Sequence, residues 1–271
     1  MIIIPDIHGR SFWREAVLKK QPGEKIVFLG DYLDPYSGEI DHYTGEPITK
    51  DSALDNFKSI LDLAFSSKDI TLLIGNHDAS YFLGCPECRQ DRKNKSEISK
   101  LFKDNIGLFK LGYNLRNYNT LLVHAGITDK FLVCCSDMGK ELDYNSSEGY
   151  FDCVDYLNDL LSNYNDEQSY NILSALLSNI GLDRGGYNIT GSPIWADFYS
   201  IKKNREDAPK QIVGHTQYNP IVEYDPRTDK EKIVFGIGET EACLDCRTAF
   251  RFYEDEWKFE PITDIYNLKL Y

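Results

Sequence analysis

Five short apolar runs in this sequence each end in a turn that carries aspartate, asparagine or histidine. The turns are Asp6-Ile7-His8-Gly9, Gly30-Asp31-Tyr32-Leu33-Asp34, Gly75-Asn76-His77-Asp78, His124-Ala125-Gly126 and Gly214-His215-Thr216. One such turn is a weak signal, because these residue types are common in turns of every kind. Five in succession are a strong one, because ligands of an α/β sheet gather at the carboxyl ends of its strands. We therefore expect the five turns to converge on one site.

The side chains in these turns are oxygen and imidazole ligands without thiolates. Such a set suits Mn, Fe, Zn or Mg rather than soft-metal clusters. The chain has five histidines, and four of them stand in the turns; the exception is His42. A buried structural histidine is a reasonable interpretation of any one of them and a poor interpretation of four. The pattern therefore predicts a metal site, with His42 an exposed loop residue outside it.

Order and spacing of the five motifs resemble the calcineurin-like metallophosphoesterases, and within them the phosphoprotein-phosphatase arm. The resemblance runs from residue 1 to about residue 250. It implies an α/β (α+β) fold, in which a two-sheet β-sandwich is flanked by helices. It also implies two divalent metal ions, with Mn expected and Fe, Zn or Mg as alternatives. The implied reaction is hydrolysis of phosphomonoesters by a hydroxide that bridges the two ions.

The same resemblance assigns roles to individual residues. The implied metal ligands are Asp6, His8, Asp31, Asn76, His124 and His215. Asp31 would bridge the ions, because a carboxylate can give an oxygen to each of them. His77 would protonate the leaving oxygen, and Asp34 would pair with its imidazole and orient it.

Two departures from the family pattern concern the substrate. Phosphoprotein phosphatases carry arginine directly after the second aspartate of the Gly-Asp motif, where this chain has Pro35. That arginine binds the substrate phosphate through two hydrogen bonds. We expect Arg184, which precedes two glycines, to replace it, with Arg10 as the second candidate. Many other metallophosphoesterases end in Gly-His-x-His, and Gln217 at the last position favours the phosphatase arm.

Three functions remain open at this point. The leading one is a phosphomonoesterase, of which a serine/threonine protein phosphatase is one form. The alternative within the same class is a dinucleoside polyphosphate or nucleotide phosphohydrolase, because the Gly-His-Thr ending occurs in both branches. The alternative from another class is a non-catalytic scaffold on the same fold. Such scaffolds lose ligands or the catalytic histidine, and this chain keeps both.

Composition limits the organisation and partners of the 271-residue chain. The ligand motifs run from residue 6 to residue 215, so we expect a single domain over residues 1–271. A net charge of -13 argues against a protein that coats nucleic acid, because phosphate backbones would be repelled. The expected partner is a phosphorylated substrate, either a small molecule or a phosphoprotein.

Location is predicted from two absences and from the cysteines. No apolar run approaches the ~20 residues that a membrane helix needs, and a first strand at the initiator Met leaves no room for a signal peptide. Seven cysteines, an odd number, suggest a reducing compartment. We therefore expect a cytoplasmic protein without a membrane partner.

Two segments have contrasting charge. Ten Asp or Glu stand against the single Lys140 between residues 131 and 183, and the apolar spacing there predicts a helical cap around residues 127–183. Residues 84–103 are locally basic, with Arg89, Arg92 and Lys93 among the cations. This segment is either a substrate-docking face or an ordinary solvated surface, and the second interpretation is the simpler one.

Local patterns complete the predictions. Strand and helix alternate up to residue 74, which is typical of a mainly parallel sheet, whereas residues 211–261 predict an antiparallel second half with turns at Asn219-Pro220 and Asp225-Pro226. Leu54, Phe57, Leu61 and Phe65 predict the buried stripe of one helix. Cys85 and Cys88 with Cys243 and Cys246 match the ligand count of a four-thiolate zinc site; free thiols are the simpler interpretation.

Overall fold

The computed structural model describes residues 1–138, 140–218, 221–225, 230–234 and 236–263, with the backbone alone for 221–225 and 230–234. The strands are β1 (Ile2–Ile4), β2 (Ile26–Phe28), β3 (Ile70–Leu73), β4 (Phe109–Lys110), β5 (Gly112–Leu115), β6 (Thr120–Val123), β7 (Lys210–Val213), β8 (Ile221–Asp225), β9 (Lys230–Val234), β10 (Gly236–Ile237), β11 (Glu241–Cys243), β12 (Phe250–Tyr253) and β13 (Lys258–Pro261). The helices are α1 (Trp13–Leu18), α2 (Lys50–Ser66), α3 (Asn76–Ala79), α4 (Lys95–Asp104), α5 (Asp129–Asp137), α6 (Ser147–Ser162), α7 (Glu167–Leu177) and α8 (Phe198–Ile201). Short 3-10 turns lie at Ile106–Leu108, Arg116–Tyr118 and Leu182–Arg184.

Two multi-stranded sheets form the centre of the molecule. The first has six strands in the order β13-β12-β1-β2-β3-β4, and β1 to β4 run parallel. The second has five strands in the order β10-β11-β7-β6-β5, and β8 pairs with β9 in a separate two-stranded ribbon. This mixed α/β arrangement of two sheets with helices confirms the predicted fold class.

Alternation along the strands explains why the two sheets stack. Ile3 and Val27 of the first sheet share one buried apolar cluster with Leu122 and Ile212 of the second. The sequence neighbours of these residues, such as Ile2, belong to the larger cluster that holds the helices. Successive side chains of a strand point to opposite faces, so each sheet buries one face against its partner and the other against helices. Each such side chain contributes ~1.5–3 kcal/mol by its burial.

The helical segment predicted around residues 127–183 is present. α5, α6 and α7 all lie between residues 127 and 183, with α6 packed on β5 and α7 packed on α6. Thr128 caps α5 by accepting from the backbone N–H of Phe131, and Asp166 caps α7 by accepting from Ser169. The apolar faces of these helices are buried while their acidic residues face outward.

Three of the four residues predicted for the buried stripe of α2, Leu54, Phe57 and Leu61, are buried, and Phe65 is not. The buried face of α2 is centred on Ala53, Phe57, Ile60 and Ala64, whereas Phe65 is 81% exposed. At 3.6 residues per turn, Phe65 lies roughly a quarter-turn away from the centre of that face. The spacing of the four apolar residues therefore predicted the helix and most of its buried face, but not the exposure of Phe65.

The second half of the chain is not uniformly antiparallel. β7 pairs parallel with both β6 and β11, whereas β10–β11 and β12–β13 are antiparallel. The connection from β6 to β7 runs through α5 to α8 and brings the chain back in the same direction, whereas β8, β9 and β10 stand between β7 and β11. Of the two predicted turns, Asn219-Pro220 lies outside the described residues, and so does Pro226 of the second turn.

The described residues do not form the four-thiolate zinc site, which was the less favoured interpretation of the four cysteines. All seven cysteines are free, and no group of described side chains with ligand atoms within 4.8 Å of one another contains a cysteine. Cys243 packs in the cluster beneath the helices, while Cys246 packs between the sheets. The side chains of the two cysteines therefore point to opposite faces of the sheet. No helix among the described residues is long and apolar enough to cross a bilayer.

Candidate metal centre

The five turns meet at the carboxyl ends of β1, β2, β3, β6 and β7, and hydrogen bonds join them to one another. The backbone N–H of His8 donates to the carbonyl of Asp31 at 2.7 Å, and that of His77 donates to Asp31 Oδ1 at 3.0 Å. The backbone N–H of His215 donates to Asp6 Oδ2 at 2.9 Å. The predicted convergence is therefore present in the structure.

Four of the converging residues have a left-handed backbone. The φ angles are 45° for His8, 52° for Asp31, 60° for Asp34 and 60° for His215. A non-glycine residue in this region costs on the order of 1–3 kcal/mol and persists only where the surroundings hold it. These four residues lie in three of the five turns, which supports a candidate functional site there.

Two glycines allow the strand ends to approach so closely. A Cβ atom at Gly75 would collide with Oδ1 of Asp31, and a Cβ atom at Gly214 would collide with Oδ1 of Asp6. Any side chain at these positions would displace a carboxylate from the centre. The glycines are thus required by space rather than by turn type.

One group of ligand atoms surrounds Asp31 from the side of β6 and β7. It comprises Asp31, His124 and His215, whose ligand atoms lie within 4.8 Å of one another. Asn76 Oδ1 joins them, 3.1 Å from His124 Nε2 and 3.0 Å from His215 Nδ1. His124 Nε2 lies 3.5 Å from Asp31 Oδ2. Atoms that bind one ion at about 2.1 Å are separated by roughly these distances, so the group fits a metal ion.

A second group shares Asp31 from the side of β1. It comprises His8, Asp31 and His77, with His8 Nε2 3.7 Å from Asp31 Oδ2. Asp6 is in neither group of the described residues; its carboxylate accepts from the backbone N–H of His215. The structure thus places Asp6 at the turn after β7 and groups His77, rather than Asp6, with His8 and Asp31.

The histidines have the protonation state that metal binding requires. Burial lowers the pKa of His124 to about 3 and lowers the pKa of His8 and of His215 well below the ordinary value. His8 Nδ1 lies 2.8 Å from the carbonyl of Leu33, and His124 Nδ1 lies 2.8 Å from that of Leu29. An Nδ1–H that donates to a carbonyl leaves the Nε2 lone pair free for a metal.

The carboxylates form a crowded, buried set. Burial raises the pKa of Asp31 to about 8, that of Asp78 to about 7 and that of Asp245 to about 6. Burial also raises the pKa of Asp6 well above its ordinary value, and Asp245 and Asp31 add to the rise. Buried anions without a compensating cation are costly. Divalent ions would supply that compensation, and the donor set therefore fits them.

Asp78 connects the turns after β2 and β3. Its Oδ2 accepts from the backbone N–H groups of Asp31 at 2.7 Å and Gly75 at 2.9 Å, and its Oδ1 accepts from Tyr32 at 3.0 Å. A side chain with three backbone donors is a structural support of the turns.

His77 and Asp34 are in contact, as expected of a proton-donating pair. His77 Nδ1 lies 2.9 Å from Asp34 Oδ2, and the hydroxyl of Tyr81 donates to Asp34 Oδ1 at 2.5 Å. Tyr81 was not singled out from the sequence. Tyr81 stands four residues after His77, which is one helical turn further along the chain, and this spacing is the sequence signal that points to it.

The two arginines predicted to bind phosphate differ in their surroundings. Arg184 contacts the hydroxyl of Thr216, and its Nε lies 3.2 Å from Asp197 Oδ2. Its charge helps to lower the pKa of His215, after burial and His124. Arg10 is buried, and two of its nitrogens donate to Glu39, at 2.7 and 3.2 Å. Each arginine thus has an acidic partner, and Arg184 differs in that its charge acts on His215.

A third arginine, Arg89, contacts the turn that carries Asp34. In the sequence it is only one of the cations of the basic segment 84–103. Arg89 donates to the carbonyl of Asp34 at 3.3 Å, directly before Pro35 in the chain. Its guanidinium lies 3.8 Å over the ring of Tyr36. Arg89 therefore brings a positive charge close to the position where the phosphoprotein phosphatases carry arginine. Nothing in the local sequence linked residue 89 to residue 34, because the contact forms only in the folded chain.

Comparison with known proteins adds the family. The model of the family described as calcineurin-like phosphoesterase matches residues 1–219, which include all five turns. The comparison with curated proteins found no match. This family implies a metal-dependent hydrolase of phosphoesters. Because the match covers most of the 271 residues, the chain belongs to the calcineurin-like phosphoesterase family.

Proposed function

We propose that this protein is a dinuclear metal-dependent phosphomonoesterase. The observation that carries the proposal is the position of Asp31, whose carboxylate is shared by two groups of candidate ligands. His8 and His77 flank it on one side, and Asn76, His124 and His215 on the other. One shared carboxylate between two ligand sets is the arrangement that two adjacent ions require.

When bound, two divalent ions would polarise the phosphoryl oxygens and provide a nucleophilic hydroxide at neutral pH. Asp6 and Asp31 offer two negative charges, and the other four ligands are neutral. Four positive charges less two negative ones would leave the centre at about +2, which suits a dianionic monoester better than a monoanionic diester.

The chain's own residues would then manage the proton of the leaving group. Asp34 holds Nδ1 of His77, so Nε2 is the ring atom free to protonate the leaving oxygen. Tyr81 fixes Asp34 by its hydroxyl and is a positioning residue. The imidazole of His77 stands edge-on to that of His8, with ring centroids 5.0 Å apart. The proton donor is therefore next to a candidate metal ligand.

Arg184 is the residue we propose to bind the non-bridging phosphate oxygens. Asp197 and Thr216 orient its guanidinium beside His215 without burying it, since its side chain is 23% exposed. Arg89, which donates to the carbonyl of Asp34, is the second candidate. Arg10 is less suited than Arg184, because two of its nitrogens donate to Glu39 and its side chain is 7% exposed against 23% for Arg184.

Two classes of substrate fit this centre. A phosphoprotein is the first, favoured by Gln217 at the position where phosphodiesterases carry a second histidine. A nucleotide-like phosphoester is the second, favoured by Pro35 at the position where phosphoprotein phosphatases carry arginine. Both reactions would use the same ligands and the same proton donor.

Hydrolysis of an aryl phosphate monoester and of its diester analogue, with and without Mn²⁺, tests the proposal. We expect metal-dependent monoester cleavage that falls about 10²-fold or more in His77→Ala when the leaving group is poor. His42→Ala is the matched control, because His42 is exposed and outside the centre. Cleavage of diesters alone would assign a phosphodiesterase instead. A folded protein that binds two ions and cleaves neither probe would support the scaffold.

A further inference from the structure

A groove of about 840 Å³ begins at Pro35, directly after Asp34. Its lining comes from the loop after β2, which includes Tyr36, from Lys50 at the start of α2, and from the basic segment between residues 87 and 93. No residue proposed above to bind metal or protonate the leaving group lines it.

Tyr36 connects the groove with the metal centre. One edge of its ring meets the imidazole of His8, with centroids 5.2 Å apart. Arg89 lies over the same ring and also donates to the carbonyl of Asp34. The inner end of the groove is thus one aromatic ring away from a candidate metal ligand. A small molecule bound at the centre could extend along it.

The acids of the groove are already engaged. Glu87 pairs with Lys95 at 2.7 Å. Asp91 is buried, and its carboxylate accepts from the backbone N–H groups of Lys93 and Asn94 at 3.0 and 3.2 Å. Backbone N–H groups hold the carboxylate of Asp91 without cancelling its charge, so both acids count against the cations of the groove.

The groove is lined by four cations against two acids, an excess of two positive charges. Arg89 and Arg92 are exposed and have no ion-pair partner among the described residues. Lys50 Nζ donates only to the carbonyls of Arg89 and Gln90, at 3.3 and 2.8 Å, which leaves its charge uncompensated. The fourth cation, Lys93, pairs with Asp51 at 2.7 Å. In a protein with a net charge of -13, a groove with such an excess of positive charge is built to attract an anion.

We infer that this groove binds a second phosphate group of a small bisphosphate substrate whose first phosphate occupies the metal centre. The inference rests on the proposed phosphomonoesterase function and narrows its substrate class. The groove volume lies within the ~300–1,000 Å³ typical of small-molecule sites. The acidic cap, with ten acids against one lysine between residues 131 and 183, would repel a large acidic partner more than a small molecule.

Kinetics on matched substrates test the inference. The probes are an alkyl monophosphate and α,ω-alkanediol bisphosphates of increasing chain length. We expect kcat/KM to be highest for one chain length and to exceed that of the monophosphate roughly tenfold, as a charge-assisted hydrogen bond predicts. The preference should shrink as salt is raised, because the groove is open to solvent.

Variants locate the effect. Arg92→Gln should lower the bisphosphate-to-monophosphate ratio of kcat/KM roughly tenfold, and Arg92→Lys should restore part of it. Lys50→Gln should act in the same direction. Lys100→Gln is the matched control: it removes one exposed cation from α4, where Lys100 pairs with Asp104 outside the groove. It should leave the ratio unchanged.

The outcomes separate the two proposals. If the protein hydrolyses monophosphates without preferring bisphosphates, the inference about the groove is refuted and the phosphomonoesterase proposal stands. The same holds if a preference for bisphosphates survives both Arg92→Gln and added salt. A loss in Arg92→Gln confined to an acidic phosphopeptide would also overturn the small-molecule assignment. Absence of monophosphate hydrolysis would refute the proposed function itself. Calorimetric titration of the bisphosphate into His77→Ala protein, with and without Arg92→Gln, measures the affinity of the groove in the absence of turnover.

Discussion

Nδ1 of His77 lies 2.9 Å from Oδ2 of Asp34, and both side chains are buried. Asp34 reaches this position with a left-handed backbone, φ 60°, which costs energy that the contact with Tyr81 helps to offset. The pair is therefore held in place before any substrate binds. Preorganisation of this kind is what proton transfer to a leaving group requires.

Removing the acid of this pair should resemble removing the histidine. We expect Asp34→Asn to lower kcat about 10- to 100-fold on alkyl phosphates, and less on aryl phosphates whose leaving groups need no proton. The measurement is kcat against leaving-group pKa for both variants. Because the two residues act as a unit, Asp34→Asn with His77→Ala should be little worse than His77→Ala. Additive losses would show that Asp34 acts independently of His77.

Metal binding should stabilise the fold. Mn²⁺ at about 100 times its Kd adds ~2.7 kcal/mol, which for a chain of this size raises Tm by roughly 5–10 °C. Chelation with EDTA should reverse the rise. Thermal melts check this, with His42→Ala as the control that keeps the shift and Asp31→Asn as the variant that loses most of it. An unchanged shift in Asp31→Asn would remove Asp31 from the centre.

The metal-free protein should lose stability as pH rises from about 6.5 to about 8. The raised pKa of Asp31, about 8, means that the folded protein retains a proton that the unfolded chain releases near its ordinary pKa. Stability therefore falls with pH until Asp31 ionises. The buried histidines act oppositely, but only below about pH 6.5, where the unfolded imidazoles become charged.

Urea unfolding in EDTA at several pH values measures this slope. Asp31→Asn cannot ionise, so its stability should depend less on pH across the same window. Wild-type protein that gains stability between pH 6.5 and 8 would show that Asp31 is ionised in the metal-free fold.

Gly75→Ala tests the close approach of the strand ends. The added Cβ would collide with the carboxylate of Asp31, so overpacking should cost about 1–3 kcal/mol of stability and displace the shared ligand. Isothermal titration should show at least tenfold weaker Mn²⁺ binding. Gly107→Ala is the matched control, because a Cβ there meets nothing within 4 Å and the backbone is not left-handed. Equal affinities for the two variants would contradict the crowding at Gly75.

The strand ends could be predicted from sequence because their signals are local. Each apolar run predicts a strand, each polar turn marks its end, and the topology of α/β sheets brings such ends together. The contact of His77 with Asp34 followed from the family resemblance. Their roles, like those of the metal ligands and the single-domain organisation, remain predictions.

What could not be predicted depends on contacts between distant residues. Arg89 reaches Asp34 across more than fifty residues, and Asp245 joins the buried acids only because β11 pairs with β7. The rotation of α2, which exposes Phe65, is set by the sheet that it covers and not by its own spacing. Arg184 was predicted from its glycine neighbours, but its partner Asp197 was visible only in the fold.

The most direct test of the proposed centre is hydrolysis of an aryl phosphate measured against the number of Mn²⁺ ions bound per chain. Metal-free protein would be titrated while bound manganese and initial rate are recorded together. We expect two ions per chain, with the rate rising as the second binds, and near-complete loss of both in Asp31→Asn. Saturation of the rate with a single ion, or two bound ions without hydrolysis, would contradict a dinuclear phosphomonoesterase.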